Sequence, residues 1–342
     1  MGPSPAALEP ARRSILDRPI LIAIPILIGL FATRSPFFMS AAPAFDPAAP
    51  EAAAVPWADA PIPLVTTPQY ETNKTDIFTT GATHMALLHN VILRGYNSIW
   101  QQAPHVRPAD VPDFVGYCRV WHQFVVHHHD DEEGALFPKI AALLLEDDEN
   151  VDVDDAAAAA AAKDSDKDKD KIAANDEAIW GATHREHAAF LGGLAAFSAY
   201  LDEVASGARP FSGAGLRGVM SGFEEAFAAH FHSEVRTIAG LAGHARAPRA
   251  GSAREAAAAA TFRDWGRATV MRAGALDGVP FFLLNLDATA EGGRWARWPP
   301  MPPPVRWGLE NIAGAWHARR WRFASCLAGR PRRLYALGPE SA

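Results

Sequence analysis

Residues 114–138 read FVGYCRVWHQFVVHHHDDEEGALFP. Apolar side chains recur there every three or four positions, at Phe114, Cys118, Trp121 and Val125, and the same row runs on into His128 and Glu132. Such spacing predicts one face of an α-helix. The row ends on an imidazole and a carboxylate, two groups that are costly to bury without partners. Around HFHSEVRTIAGL, residues 230–241, a second row does the same: Leu216, Met220, Phe223 and Phe227 lead to His230 and Glu234, then Ile238 and Leu241.

Two further segments carry rows of this kind. In 76–103 the row is Ala82, Met85, His89, Ile92, Tyr96 and Ile99; in 177–206 it is Trp180, His184, His187, Leu191, Leu194, Ser198 and Leu201. With helices over 110–145 and 213–241, four segments share the 3–4 spacing of a bundle seam. They predict an all-α fold, an up-down four-helix bundle.

The seams are apolar except at His89, His128, Glu132, His184, His187, His230 and Glu234. His128/Glu132 and His230/Glu234 are i,i+4 pairs, which at about 100° per residue point the same way one turn apart. The pattern also repeats: His89 precedes His128 by 39 residues and His187 precedes His230 by 43, each unit ending His-x-x-x-Glu. Polar groups on all four seams need a common partner. Imidazoles and carboxylates without a thiolate suit iron, manganese or zinc, and two carboxylates with up to five imidazoles suit two bridged ions. His122, His129 and Glu133 share a neighbouring face of the second helix and are the alternative register, with Glu133 expected to be partly solvated. His127 and His129 read as flanking groups that orient ligands; His84, His105, His232, His244 and His317 read as surface or supporting residues.

These residues resemble the hemerythrin family in its HHE cation-binding form. HHHDDEEGALFP is similar to the family's His-x3-Glu-Glu-x4-Pro pattern, which counted back from Pro138 selects His128 and Glu132. HFHSEVRTIAGL resembles the matching repeat at His230 and Glu234, without the proline and second glutamate. His89-Asn90-Val91-Ile92-Leu93-Arg94 resembles the first-helix pattern and Glu186-His187 the third. The resemblance covers roughly residues 76–243 and implies a four-helix bundle with a non-haem di-iron centre. The simpler members of the family manage without a fifth imidazole, which sets His184 apart from the other six.

Composition bounds the alternatives. The chain has 342 residues, 49% hydrophobic and 21% charged, enough to bury a sizeable core. A net charge of −7 argues against a protein built to bind nucleic acid. Two cysteines, Cys118 and Cys326, cannot form a thiolate metal site. Charge is uneven: residues 245–342 hold 15 Arg, no Lys and 7 Asp or Glu, so the rest of the chain is strongly acidic.

Residues 1–40 form a hydrophobic leader. Its apolar run, residues 19–32, follows Arg12, Arg13 and Arg18 and is short against the ~20 residues that span a bilayer. It reads as the core of a signal peptide, with Ala42-Pro43-Ala44 as cleavage signal, or as a short anchor giving membrane contact. Localisation is therefore membrane-anchored or secretory if the leader targets, and otherwise cytoplasmic. Residues 41–75 read as an Ala/Pro-rich linker, and 146–176 as an acidic low-complexity insertion within the bundle. Residues 244–342 form an Arg/Trp-rich extension holding six of the ten tryptophans. It resembles extensions on fungal members of the family. A helix from Val305 would align Val305, Leu309, Ile312 and Trp316, packed on the bundle or lying on an anionic membrane.

The functional expectation is a di-iron protein that binds O2 or another small diatomic ligand, or senses iron or redox state. Oxygen-activating di-iron enzymes in ferritin-like bundles use Glu-rich sets with Glu-x-x-His, whereas a His-rich set favours reversible binding. A di-iron oxidase or peroxide- or NO-consuming enzyme is the rival, and a metal-stabilised interaction module the third reading.

Overall fold

A computed structural model describes residues 57–145 and 166–338. The leader, its cleavage signal and residues 146–165 of the acidic insertion lie outside the described residues. What is described is helical almost throughout; the sheet among the described residues is a two-stranded hairpin, β1 (Cys326–Leu327) with β2 (Arg330–Pro331).

The first long helix, α1 (Ile77–Gln102), starts where Asp76 accepts a hydrogen bond from the Thr79 N–H, as an N-cap should. α2 (Val111–Asp131) passes through a π turn (Glu132–Leu136) into α3 (Phe137–Leu143). α4 (Asp166–Ser206) follows, then α5 (Gly213–Ser221) and α6 (Glu224–Gly240). α1 packs on α6, α6 on α4, and α4 on both α2 and α3. Trp121 anchors α2 to α1 by donating from Nε1 to the Ile92 carbonyl at 3.0 Å. Gly95 permits this approach, since a Cβ there would lie 2.5 Å from the Trp121 ring and 2.8 Å from Phe281.

Three expected boundaries shift. The third helix begins at Asp166 rather than 177, so the end of the acidic insertion is helical; Asn175 donates to the Ala141 carbonyl and ties it to α3. The fourth helix is broken between Ser221 and Glu224 into α5 and α6. The end of the Ala/Pro-rich linker is docked: Asn97 accepts from Ile62 N–H and donates to the Ala58 and Ile62 carbonyls, and Asn90 pairs both ways with Val65. Backbone that side-chain amides satisfy so fully is part of the folded unit.

The extension joins the core. α7 (Ala253–Arg272) packs across α1 and α2, and α8 (Val279–Asn285) lies on α1. Phe262 of α7 reaches α1 at Gly81, where a Cβ would meet its ring at 2.6 Å. Asp131, buried at the end of α2, accepts from Thr269 and pairs with Arg272 at 2.9 Å. The row from Val305 divides. α9 (Pro303–Gly308) is followed by a further π turn (Leu309–Ala313), Leu309 packs on the core, and Trp316 is exposed.

Candidate metal centre

Six of the seven residues expected at the site meet in the interior. His89 from α1, His128 from α2, Glu132 from the π turn, His187 from α4, and His230 and Glu234 from α6 are all essentially buried. Glu132 Oε1 lies 3.0 Å from His128 Nε2, and Oε2 lies 3.7 Å from His187 Nε2. Glu234 Oε2 lies 3.2 Å from His89 Nε2 and 3.5 Å from His230 Nε2. Each carboxylate therefore faces one imidazole of its own helix and one from the other half of the sequence repeat.

The π turn follows from sequence. Pro138 has no N–H to give the carbonyl of Gly134, and its ring would clash there in a regular α-helix. The wider turn, closed by the Phe137 N–H on the Glu132 carbonyl, absorbs the misfit. It carries adjacent carboxylates to different partners. Glu132 points inward, while Glu133 accepts from His187 Nδ1 at 2.5 Å and contacts His184 Nδ1 at 2.9 Å.

The tautomers implied by these partners matter. His89 Nδ1 lies 2.9 Å from the Phe231 carbonyl, which can only accept, so Nδ1 carries the proton and Nε2 keeps its lone pair. His187 is fixed the same way by Glu133. Glu186, held by the Ser233 hydroxyl, stands 3.4 Å from His230 Nδ1 without hydrogen-bonding it, and His230 Nε2 lies 3.1 Å from His187 Nε2. Outer carbonyls and carboxylates that turn Nε2 inward are what metal-binding histidines have.

Eight buried side-chain atoms of this cluster have no hydrogen-bond partner: His89 Nε2, both nitrogens of His128, His230 Nδ1, and all four oxygens of Glu132 and Glu234. One such atom left wholly unsatisfied costs about 1–3 kcal/mol, so a set of them facing one another favours a common partner. A cation removes most of that cost, and the donor set fits one. Electrostatics agree. Burial holds His128 and His230 well below the usual imidazole range, hence neutral and able to donate lone pairs. Burial, with Glu234 nearby, pushes Glu132 well up; Glu234 is raised by burial too, but His89, His230 and His187 outweigh this and bring it below its ordinary value. Three donor triplets lie close enough to grip an ion: His89–His128–Glu132, Glu132–His187–His230 and His129–Glu133–His187. Glu132 belongs to the first two.

His184 is the residue the fold does not bring in. Both of its ring nitrogens are engaged, Nδ1 by Glu133 and Nε2 by Asp176 at 2.8 Å, and these carboxylates overcome partial burial to raise its pKa. One turn before His187 on the same row, it sits nearer the edge of the α4 contact. Glu133 is the converse. It lies on the face expected, beside His129, and is partly solvated as expected, yet it also reaches α4; burial raises its carboxyl, and His187 and His184 carry it down to about 2. The adjacency of Glu133 to Glu132, and of Glu186 to His187, was the available signal for these supporting groups.

No protein-family profile matches the chain, and no solved structure does. It is similar to the dimeric xanthone biosynthesis cluster protein R11 of Cryptosporiopsis sp. (strain 8999), 27% identical over 298 residues that cover 83% of this chain and 94% of that protein.

Proposed function

We propose that this chain is a hemerythrin-like protein, its helices α1, α2–α3, α4 and α5–α6 forming a four-helix bundle around a non-haem di-iron centre that binds O2 or senses iron or redox state. The observation that carries the reading is the convergence of inward Nε2 lone pairs and unpartnered carboxylates from all four segments. His89, His128, His187, His230, Glu132 and Glu234 would hold the ions, with Glu132 common to two of the donor triplets. Iron bound there would supply redox chemistry and an affinity for small diatomic ligands; manganese or zinc would suit the same donors. The protein's own part is to orient. Phe231 and Glu133 fix His89 and His187 in the tautomer that binds, and Phe137, Phe190 and Phe231 pack around the imidazoles and restrict water.

A second reading is a di-iron oxidase; the relative's name places that protein in a dimeric xanthone biosynthesis cluster, a setting in which an enzyme of this kind could act. Optical spectra of the iron-loaded protein, cycled between air and argon, separate the two. Reversible change without consumption of O2 supports binding or sensing. Steady O2 uptake with an aromatic reductant present selects the oxidase.

A further inference from the structure

Beside the His/Glu cluster lies a cavity of about 60 Å³, walled by Leu88, Phe262, Trp265, Val270, Phe282 and Trp298. Apart from α1, which gives Leu88 and His84, its walls come from residues 262–309, the region beyond the expected bundle. Arg267, which also lines it, is exposed. Two walls are shared with the cluster. Leu88 precedes His89, and the Trp265 ring lies 5.6 Å from the His128 ring. Trp265 is buried with its Nε1–H unpartnered, so packing alone holds the ring.

The chemistry of the walls selects the guest. A buried water needs two to four polar partners, and this lining offers the His84 ring and little else. Burial carries His84 down to about 4, so its imidazole is neutral at neutral pH, and the one charged residue of the lining, Arg267, is exposed. A single water needs about 10–15 Å³ of such space, so about 60 Å³ of almost wholly apolar cavity suits a small uncharged gas.

We propose that this cavity is an antechamber from which dioxygen passes, by way of Trp265, to the His/Glu cluster. The role rests on the metal reading above, but the cavity can be tested without metal. Xenon is the probe, followed by the 129Xe chemical shift on the full-length metal-free protein. Gly266 lines the cavity, and a Cβ there meets nothing within 4 Å. Gly266→Leu thus fills the space while improving the propensity of α7; Val270→Phe does the same from the next turn if the first variant fails to fold.

The parent should show saturable xenon binding that the filled variant loses. The iron-loaded filled variant, with unchanged iron content, should react with O2 roughly fivefold or more slowly, as expected when a gated path is blocked. No saturable xenon binding in the parent overturns the proposal, and so does an unchanged O2 rate in a variant that has lost xenon. Xenon uptake by a protein that takes no iron defeats the metal reading, and the antechamber role with it.

Discussion

Glu132 and Glu133 are neighbours with different work, and their variants should separate. Glu132→Gln keeps volume but removes the charge shared by two donor triplets, so iron per folded chain should fall sharply and the melting temperature with it, because metal binding is coupled to folding. Glu133→Ala leaves the inner donors intact but frees His187 Nδ1; iron affinity should drop about 10- to 100-fold while stoichiometry at saturating iron is kept. If Glu133→Ala loses the metal outright while Glu132→Gln keeps it, the site belongs to the His129 face. The buried imidazoles also set a pH dependence. His128 and His230 are neutral in the fold, with values pushed well below 6.5, and take a proton readily when unfolded. For these two groups the unfolded state binds more protons, so their contribution to the stability of the metal-free protein is full above pH 6.5 and declines as pH falls below it, by at most about 1.4 kcal/mol per pH unit for each. Glu132 and His184, whose values are raised, act in the opposite sense, so urea midpoints from pH 8 to 5 should be compared with those of a His128→Gln/His230→Gln variant. The parent should lose more stability with falling pH than the variant, and identical profiles would mean these rings are already solvated.

At the scale of elements, the π turn joins helix geometry to the site. Pro138→Ala restores a donor for the Gly134 carbonyl and lets α2 run on as a regular α-helix into α3. Metal-free stability should hold or rise, while iron affinity falls by about tenfold or more as Glu132 and Glu133 rotate off their partners. Equal affinity in this variant would show that the turn is incidental. The acidic insertion gives the opposite expectation. Residues 169–174 of α4 are largely exposed, whereas Asn175 donates to the Ala141 carbonyl of α3. Deleting residues 150–174 should leave metal content nearly intact; loss of more than half the iron would show that this stretch holds the site together.

For the whole molecule, the helical rows and six site residues were legible because burial imposes a 3–4 period and because buried His and Glu need partners. Residues that break that logic were not. Phe262 and Trp265 are core residues, yet α7 is so rich in Ala and Arg that it shows no clear apolar row. The docking of residues 58–65 depends on Asn90 and Asn97, whose side chains reach across 25 to 39 positions and leave no periodic trace. His184 was placed by its row alone, and its fate turned on Asp176 and Glu133, one of them inside a segment read as insertion. The extension, by contrast, adds what a bundle alone lacks: a brace on Asp131 beside Glu132 and an apolar cavity behind His128. All of this converges on one claim, that the six buried donors hold metal. Elemental analysis of the full-length protein from iron-replete expression, beside a His128→Ala/Glu132→Gln double variant, tests it most directly. The account predicts about two irons per folded parent chain and a large loss in the variant; a folded parent with negligible metal, or equal metal in both, would contradict it.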